Sequence, residues 1–130
     1  MTGKTLVVVG SGPGVGVSTA SHLAAQAHKF ENVALISRDG SRLPKDRETV
    51  LSYAKQRGKT VNVQIWSCDV ANTGRLEEVL KEVEAMGAVS CVIYNAAEVV
   101  PSELFKFGED EILYHFKVYL PVVLLLLEPT

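Results

Sequence analysis

Thr5-Leu6-Val7-Val8-Val9-Gly10-Ser11-Gly12-Pro13-Gly14-Val15-Gly16-Val17-Ser18-Thr19-Ala20 reads as an apolar strand, a glycine-dense turn and the opening of a helix. Four of the ten glycines fall within seven positions here. Glycine tolerates positive φ and lets backbone approach another group closely. A strand that feeds such a turn and then a helix aims backbone N–H groups, and the positive end of the helix dipole, at one point. That point suits a phosphate. The spacing narrows the choice. GxGxxG is not met, because after Gly10 and Gly12 the third glycine would fall on Val15. Gly10, Gly14 and Gly16 fit a Gly-xxx-Gly-x-Gly turn instead. A Walker A loop needs lysine after its last glycine, and Val17 stands there, which argues against nucleoside triphosphate hydrolysis.

Leu6 to Val9 is aliphatic without alternation, the pattern of a strand buried on both faces. From Val15 to His28 the period becomes helical. Val15, Ala20, Leu23, Ala24 and Ala27 form its apolar stripe, and Ser18, Ser21, Gln26 and His28 lie mostly off it. Asn32 to Ser37 is a second buried strand, ended by Arg38-Asp39-Gly40. Ser41 is placed to cap a charged helix running to about Arg57, with Leu43, Val50, Leu51 and Ala54 inward and Gly58 at its end. Pro44 fits its first turn, where a missing N–H costs nothing.

Thr60 to Ser67 alternates Val61, Val63 and Ile65 against Asn62, Gln64 and Trp66, which predicts a strand nearer the sheet edge. Asn72 or Thr73 opens a third helix, with Leu76, Val79, Leu80 and Val83 inward. Val89 to Tyr94 is a fourth strand, and a helix from Glu109 to about Leu127 closes the chain, kinked at Pro121. Strands alternating with helices predict βαβ units, a parallel sheet with helices on both faces, and right-handed crossovers.

The 130 residues allow one domain with a real core, residues 1–130. With 47% hydrophobic and 22% charged residues the chain falls among folded proteins rather than disordered ones. A net charge of −2 offers no field for nucleic acid or an anionic membrane. Cys68 and Cys91 stand far apart and outside any CxxC motif, so they read as buried free thiols in a reducing compartment. The apolar stretch after Lys4 is too short for a signal peptide. The longest apolar run, Val122 to Leu127, falls far short of the roughly 20 residues that cross a bilayer. A soluble, cytoplasmic protein is expected. His22, His28 and His115 have no partner at ligand spacing, so no metal is expected.

The remaining chemistry sits at strand ends. A carboxylate after the second strand suits a ribose 2′-hydroxyl, and an arginine there suits a 2′-phosphate. Ser37-Arg38-Asp39 offers both, with Arg38 nearer the strand and Arg42 one turn on, which favours NADP over NAD. Asp69, in Cys68-Asp69-Val70, is placed either to accept from an adenine amino group or to cap the next helix. In Asn95-Ala96-Ala97 the small residues let backbone approach a ligand, and Asn95 can hydrogen-bond across the crevice to a neighbouring strand. All four clues fall on the carboxyl ends of strands, the edge where open α/β sheets bind ligands.

With these residues in view, the chain resembles the N-terminal half of a short-chain dehydrogenase/reductase. Gly10, Gly14 and Gly16 match that family's TGxxxGxG turn, with Val9 in place of the threonine. Asp69 matches its adenine-binding aspartate. Tyr94-Asn95-Ala96-Ala97 matches its NNAG motif at the central Asn-Ala, and Arg38 stands where NADP-preferring members carry a basic residue. Phe116 to Leu120 is similar to its VNLxG stretch, with Tyr119 replacing the asparagine.

The resemblance implies a three-layer Rossmann-like parallel sheet, here incomplete at about four strands in the order 3-2-1-4. The fourth strand would then be a bare apolar edge, open to pairing with another chain or to aggregation, with a homo-oligomer formed through that edge or the C-terminal helix. It implies cofactor binding through Gly10, Ser11, Gly12, Pro13, Gly14, Val15, Gly16, Ser37, Arg38, Asp69, Val70, Asn95, Ala96 and Ala97. The family's chemistry uses a tyrosine followed four residues on by lysine. Here Tyr53, Tyr94, Tyr114 and Tyr119 are followed by Arg57, Glu98, Val118 and Val123. The expectation is an NADP(H)-dependent short-chain oxidoreductase acting on a carbonyl or alcohol, or its cofactor-binding part, ending before the catalytic segment. The alternative is a non-catalytic nucleotide-binding or dimerisation module. A methyltransferase would want an acid before the first glycine, and Val7-Val8-Val9 supplies none.

Overall fold

In the computed structural model, residues 3–12, 14–26, 30–96, 108–114 and 116–118 are described. Within them the strands are β1 (Lys4–Val9), β2 (Asn32–Ser37), β3 (Asn62–Ser67) and β4 (Ala88–Tyr94). The helices between them are α1 (Val15–Ala24), α2 (Leu43–Gln56) and α3 (Thr73–Glu84), and residues 109–114 and 116–118 are also helical. The strands are parallel in the order β3-β2-β1-β4. That order puts the chain reversal between β1 and β4, beside the glycine turn.

Alternate residues of β1 feed two cores. Leu6 and Val8 pack with Ala20 and Ala24 of α1 and Val50 and Ala54 of α2. Val7 and Val9 pack on the other face with Leu76, Val79 and Val83 of α3 and with Val118. Burying a valine or leucine side chain is worth about 1.5–3 kcal/mol, which is why the unbroken aliphatic runs of β1 and β2 lie in the middle. The sheet's flanks differ. β3 exposes Gln64 and Ser67, and β4 leaves Val89 and Val92 each 40% exposed.

Several local expectations are corrected. Val15 does not join the apolar stripe of α1. It is 66% exposed, while Gly16, Val17 and Ser21 are buried, because the helix is rotated so that Gly16 rather than Val15 meets the backbone of the turn. Ser41 does not cap α2. Arg42 is the N-cap residue, and the Ser41 hydroxyl donates to Asp39 Oδ1 at 2.6 Å. Asn72 does cap α3, accepting from the Arg75 backbone N–H at 3.2 Å. The expected helix to Leu127, the Pro121 kink and the Val122–Leu127 run lie outside the described residues beyond Val118.

Candidate active site: the cleft at the strand ends

The turn after β1 is built from backbone. The Gly10 and Ser11 N–H groups both donate to the Ile36 carbonyl, at 2.8 and 3.0 Å, pinning the turn to the end of β2. Gly10 has φ +93°, and a Cβ there would lie 2.4 Å from the Ala96 backbone nitrogen. Only glycine fits that position. A Cβ on Gly16 would lie 2.8 Å from the Gly10 carbonyl oxygen, so this glycine lets α1 close onto the turn. Gly12 and Gly14 are different, since a Cβ on either would meet nothing within 4 Å. Their open side is a cradle beside the N-terminus of α1, where Gly14 is the N-cap residue.

One side chain fastens this backbone turn from beneath. The Ser11 hydroxyl donates to Asp46 Oδ2 at 3.0 Å, and both residues are buried. Asp46 comes from the first turn of α2, so α2 and the glycine turn are joined. Across the cleft the Asn95 N–H donates to the Val9 carbonyl at 2.7 Å, and its side-chain amide donates to the Gly10 carbonyl at 3.4 Å.

The other end of the cleft is built from side chains. Arg38 donates from Nη1 to the Tyr114 hydroxyl at 3.0 Å. That hydroxyl lies 3.1 Å from each carboxylate oxygen of Asp69 and donates to them. Asp69 Oδ1 also accepts the Ala71 N–H at 3.0 Å, closing the turn into α3. Burial, more than any other influence, pushes the Tyr114 hydroxyl above the usual tyrosine pKa, with Arg38 drawing it down and Asp69 raising it. The bridge is thus a cation and an anion joined through a neutral phenol. Asp39 faces its own turn instead. The Ser41 hydroxyl, then the Ser41 N–H, hold its carboxyl below the ordinary carboxylate range. Burial pushes the Cys68 thiol upward, so this thiol stays protonated.

Gly10, Ser11, Ser37, Arg38, Asp69, Val70, Asn95 and Ala96 line one cleft of about 210 Å³, fed by the carboxyl ends of all four strands. Ligand pockets commonly measure roughly 300–1,000 Å³, so this cleft lies below that range. Gly12, Gly14, Val15 and Gly16 continue the same turn without lining the cleft. Pro13 and Ala97 lie outside the described residues.

Tyr114 and Val118 line the cleft as well, and strand-end reading did not find them. Their spacing of four residues was the available signal, since it sets both on one helix face. Tyr94 fixes that face by donating from its hydroxyl to the Val118 carbonyl. Among the described residues no cluster of three metal-binding side chains occurs, and no helix is long and apolar enough to cross a membrane.

A family model described as the KR domain matches residues 4–117. Solved structures agree on the fold. L-sorbose reductase from Gluconobacter frateurii, complexed with NADPH and L-sorbose, is similar at TM-score 0.75 and 21% identity, covering 95% of this chain and 44% of its own. A 3-oxoacyl (acyl-carrier-protein) reductase from Agrobacterium tumefaciens with NADP bound follows at TM-score 0.73 and 20% identity, with coverage of 95% and 44%. An NADH-dependent reductase complexed with NAD gives TM-score 0.72 and 22% identity, with coverage of 95% and 48%. The chain thus spans less than half the length of these structures. No curated protein matches it by sequence. The chain belongs to the KR-domain family, of the short-chain dehydrogenase/reductase type, and covers that family's N-terminal, Rossmann-like region.

Proposed function

From that family membership we infer that the cleft binds a nicotinamide dinucleotide, with NADP(H) preferred. The chain then serves as the cofactor-binding part of a short-chain oxidoreductase. The observation that carries this reading is the convergence of four strand ends on one cleft, with Gly10 and Ser11 of the glycine turn at one end and Arg38 and Asp69 at the other. The residues fit the group. Gly12 and Gly14 leave open backbone where a pyrophosphate would sit against the N-terminus of α1, with Gly10, Ser11, Val15 and Gly16 completing the described part of the turn.

At the far end Arg38, beside Ser37, would meet a 2′-phosphate in bidentate fashion. Asp39 is already engaged by Ser41, which leaves Arg38 the better placed of the two residues. Asp69 and Val70 would hold the adenine, and Asn95, Ala96 and Ala97 the inner ribose. NADP-type and NAD-type complexes among the similar folds support the cofactor class, and Arg38 supports the choice within it.

When bound, the cofactor supplies hydride exchange with a carbonyl or alcohol. The chain's own residues bind and orient it, and no proton donor is assigned among them. In this reading the protein works in the cytoplasm, and free thiols at Cys68 and Cys91 support that. Titration calorimetry with NADPH and NADH tests the proposal: NADPH is expected to bind the more tightly, and binding of neither overturns it.

A second reading, a nucleotide-binding module that pairs through its edge, is favoured by one observation. Val89 and Val92 of the outer strand β4 are each 40% exposed. Sedimentation giving a monomer at high concentration would remove it.

A further inference from the structure

We propose that Tyr114 couples recognition of the 2′-phosphate to recognition of the adenine, and is a specificity-determining residue of this site. The inference rests on the cofactor reading above and deepens it. Its ground is the bridge across the cleft, in which Arg38 donates to the Tyr114 hydroxyl at 3.0 Å and that hydroxyl donates to Asp69, 3.1 Å from both oxygens. The three residues come from the end of β2, the end of β3 and the helical residues 109–114. They meet nowhere but at the cleft they line.

A hydroxyl has one proton to give and lone pairs to accept with. A guanidinium donating to its oxygen makes that proton a stronger donor, because linked hydrogen bonds polarise one another. While Arg38 holds the phenol, the phenol therefore holds Asp69 firmly, astride the two oxygens an adenine amino group would use. A phenol is protonated at neutral pH, and burial shifts this one further upward, so it remains a donor.

A ligand bearing a 2′-phosphate offers Arg38 a doubly charged acceptor, which a phenol oxygen does not match. Once Arg38 turns to the phosphate, the phenol's hold on Asp69 loosens and one carboxylate oxygen opens to the adenine. A ligand with only a 2′-hydroxyl gives Arg38 no comparable partner. The bridge persists, and adenine must compete with it. Discrimination is then a property of three side chains acting in series, with Tyr114 as the middle member.

The test uses the whole chain and two small probes, adenosine 2′,5′-bisphosphate and 5′-AMP, measured by calorimetry. Removing one hydrogen-bonding competitor is worth about three- to tenfold in affinity. In Tyr114→Phe, 5′-AMP is expected to bind about three- to tenfold more tightly while the bisphosphate changes by less than about twofold, so the ratio between them falls. Tyr114→Leu should lower the ratio in the same direction, and melting curves of both variants report whether the fold is kept.

An unchanged ratio, or weaker 5′-AMP binding in folded variants, overturns the coupling role and leaves the cofactor site standing. If the unaltered chain binds neither probe, the cofactor reading itself fails, and this inference with it.

Discussion

The two ends of the cleft are made of different material. The glycine turn is backbone held mainly by backbone, with Gly10 and Ser11 donating to one β2 carbonyl, Gly10 lodged against the Ala96 nitrogen, and the Asp46 and Asn95 side chains fastening it. The opposite end is side chains reaching over the surface, with Arg38 exposed and Tyr114 half-buried above Asp69. A backbone seat would suit what every phosphate shares, and at Gly10 and Gly16 it leaves no room for a side chain. A side-chain end can vary without cost to the fold, and so it is where choice between related ligands resides.

The largest predicted effect tests the rigidity of the first end. Gly10→Val places a side chain at φ +93° and 2.4 Å from backbone, so it should cost about 3 kcal/mol or more. For a chain of this size that lowers the melting temperature by about 10 °C or more, read by circular dichroism. Gly14→Ala sharpens the contrast, since its Cβ meets nothing within 4 Å. Its melting should shift by no more than about 0.5 kcal/mol, while dinucleotide binding weakens because the cradle is filled. Equal melting of the two variants would break the distinction.

Next in size is the fastening beneath the turn. Asp46→Ala strands the buried Ser11 hydroxyl without its acceptor, a loss of about 1–3 kcal/mol. Ser11→Ala made on top of it should cost little more, as denaturant melts of the double-mutant cycle will show. Additive losses would mean the two residues act separately.

The side-chain end predicts effects on choice rather than on stability. Arg38→Met should leave melting within about 0.5 kcal/mol and remove about 1.5–3 kcal/mol of preference for a 2′-phosphate ligand, measured as the ratio of NADPH to NADH affinity. A melting loss matching that of Gly10→Val would erase the difference between the two ends.

The smallest effect is in pH. The folded-state pKa of Tyr114 is raised, so the neutral phenol's contribution is whole below the unfolded value near about 10 and is lost as pH rises through the folded value. Ligand preference should therefore be level between about pH 6 and 9 as far as this residue is concerned. Phenolate absorbance should show a late-ionising component that Tyr114→Phe removes. A tyrosine ionising early at this site would contradict it.

Much of the scaffold was legible because its signals are local. Aliphatic runs gave β1 and β2, the alternation from Val61 to Trp66 gave an outer strand, and Asn72 gave a cap. The strand order came only through resemblance to a family, since no residue pattern carries it. Local reading failed at Val15 and Ser41, where a turn's rotation and a competing Asp39 carboxylate decided the outcome. In the cleft the strand-end residues were visible as motifs, and Tyr114 was not. Its importance comes from meeting Arg38 across 76 residues of chain, a separation that no window along the sequence spans.

That separation also bears on how the molecule comes together in time. Asn95 reaches Gly10 across 85 residues and Tyr114 reaches Arg38 across 76. Closing such long loops consumes chain entropy before any contact repays it, and contacts of this range slow folding. On a ribosome the glycine turn and β2 can form early. The cleft has to wait for the segment around Val118, whose carbonyl Tyr94 holds. The cleft is then completed only after β4 and the residues around Val118 have been made.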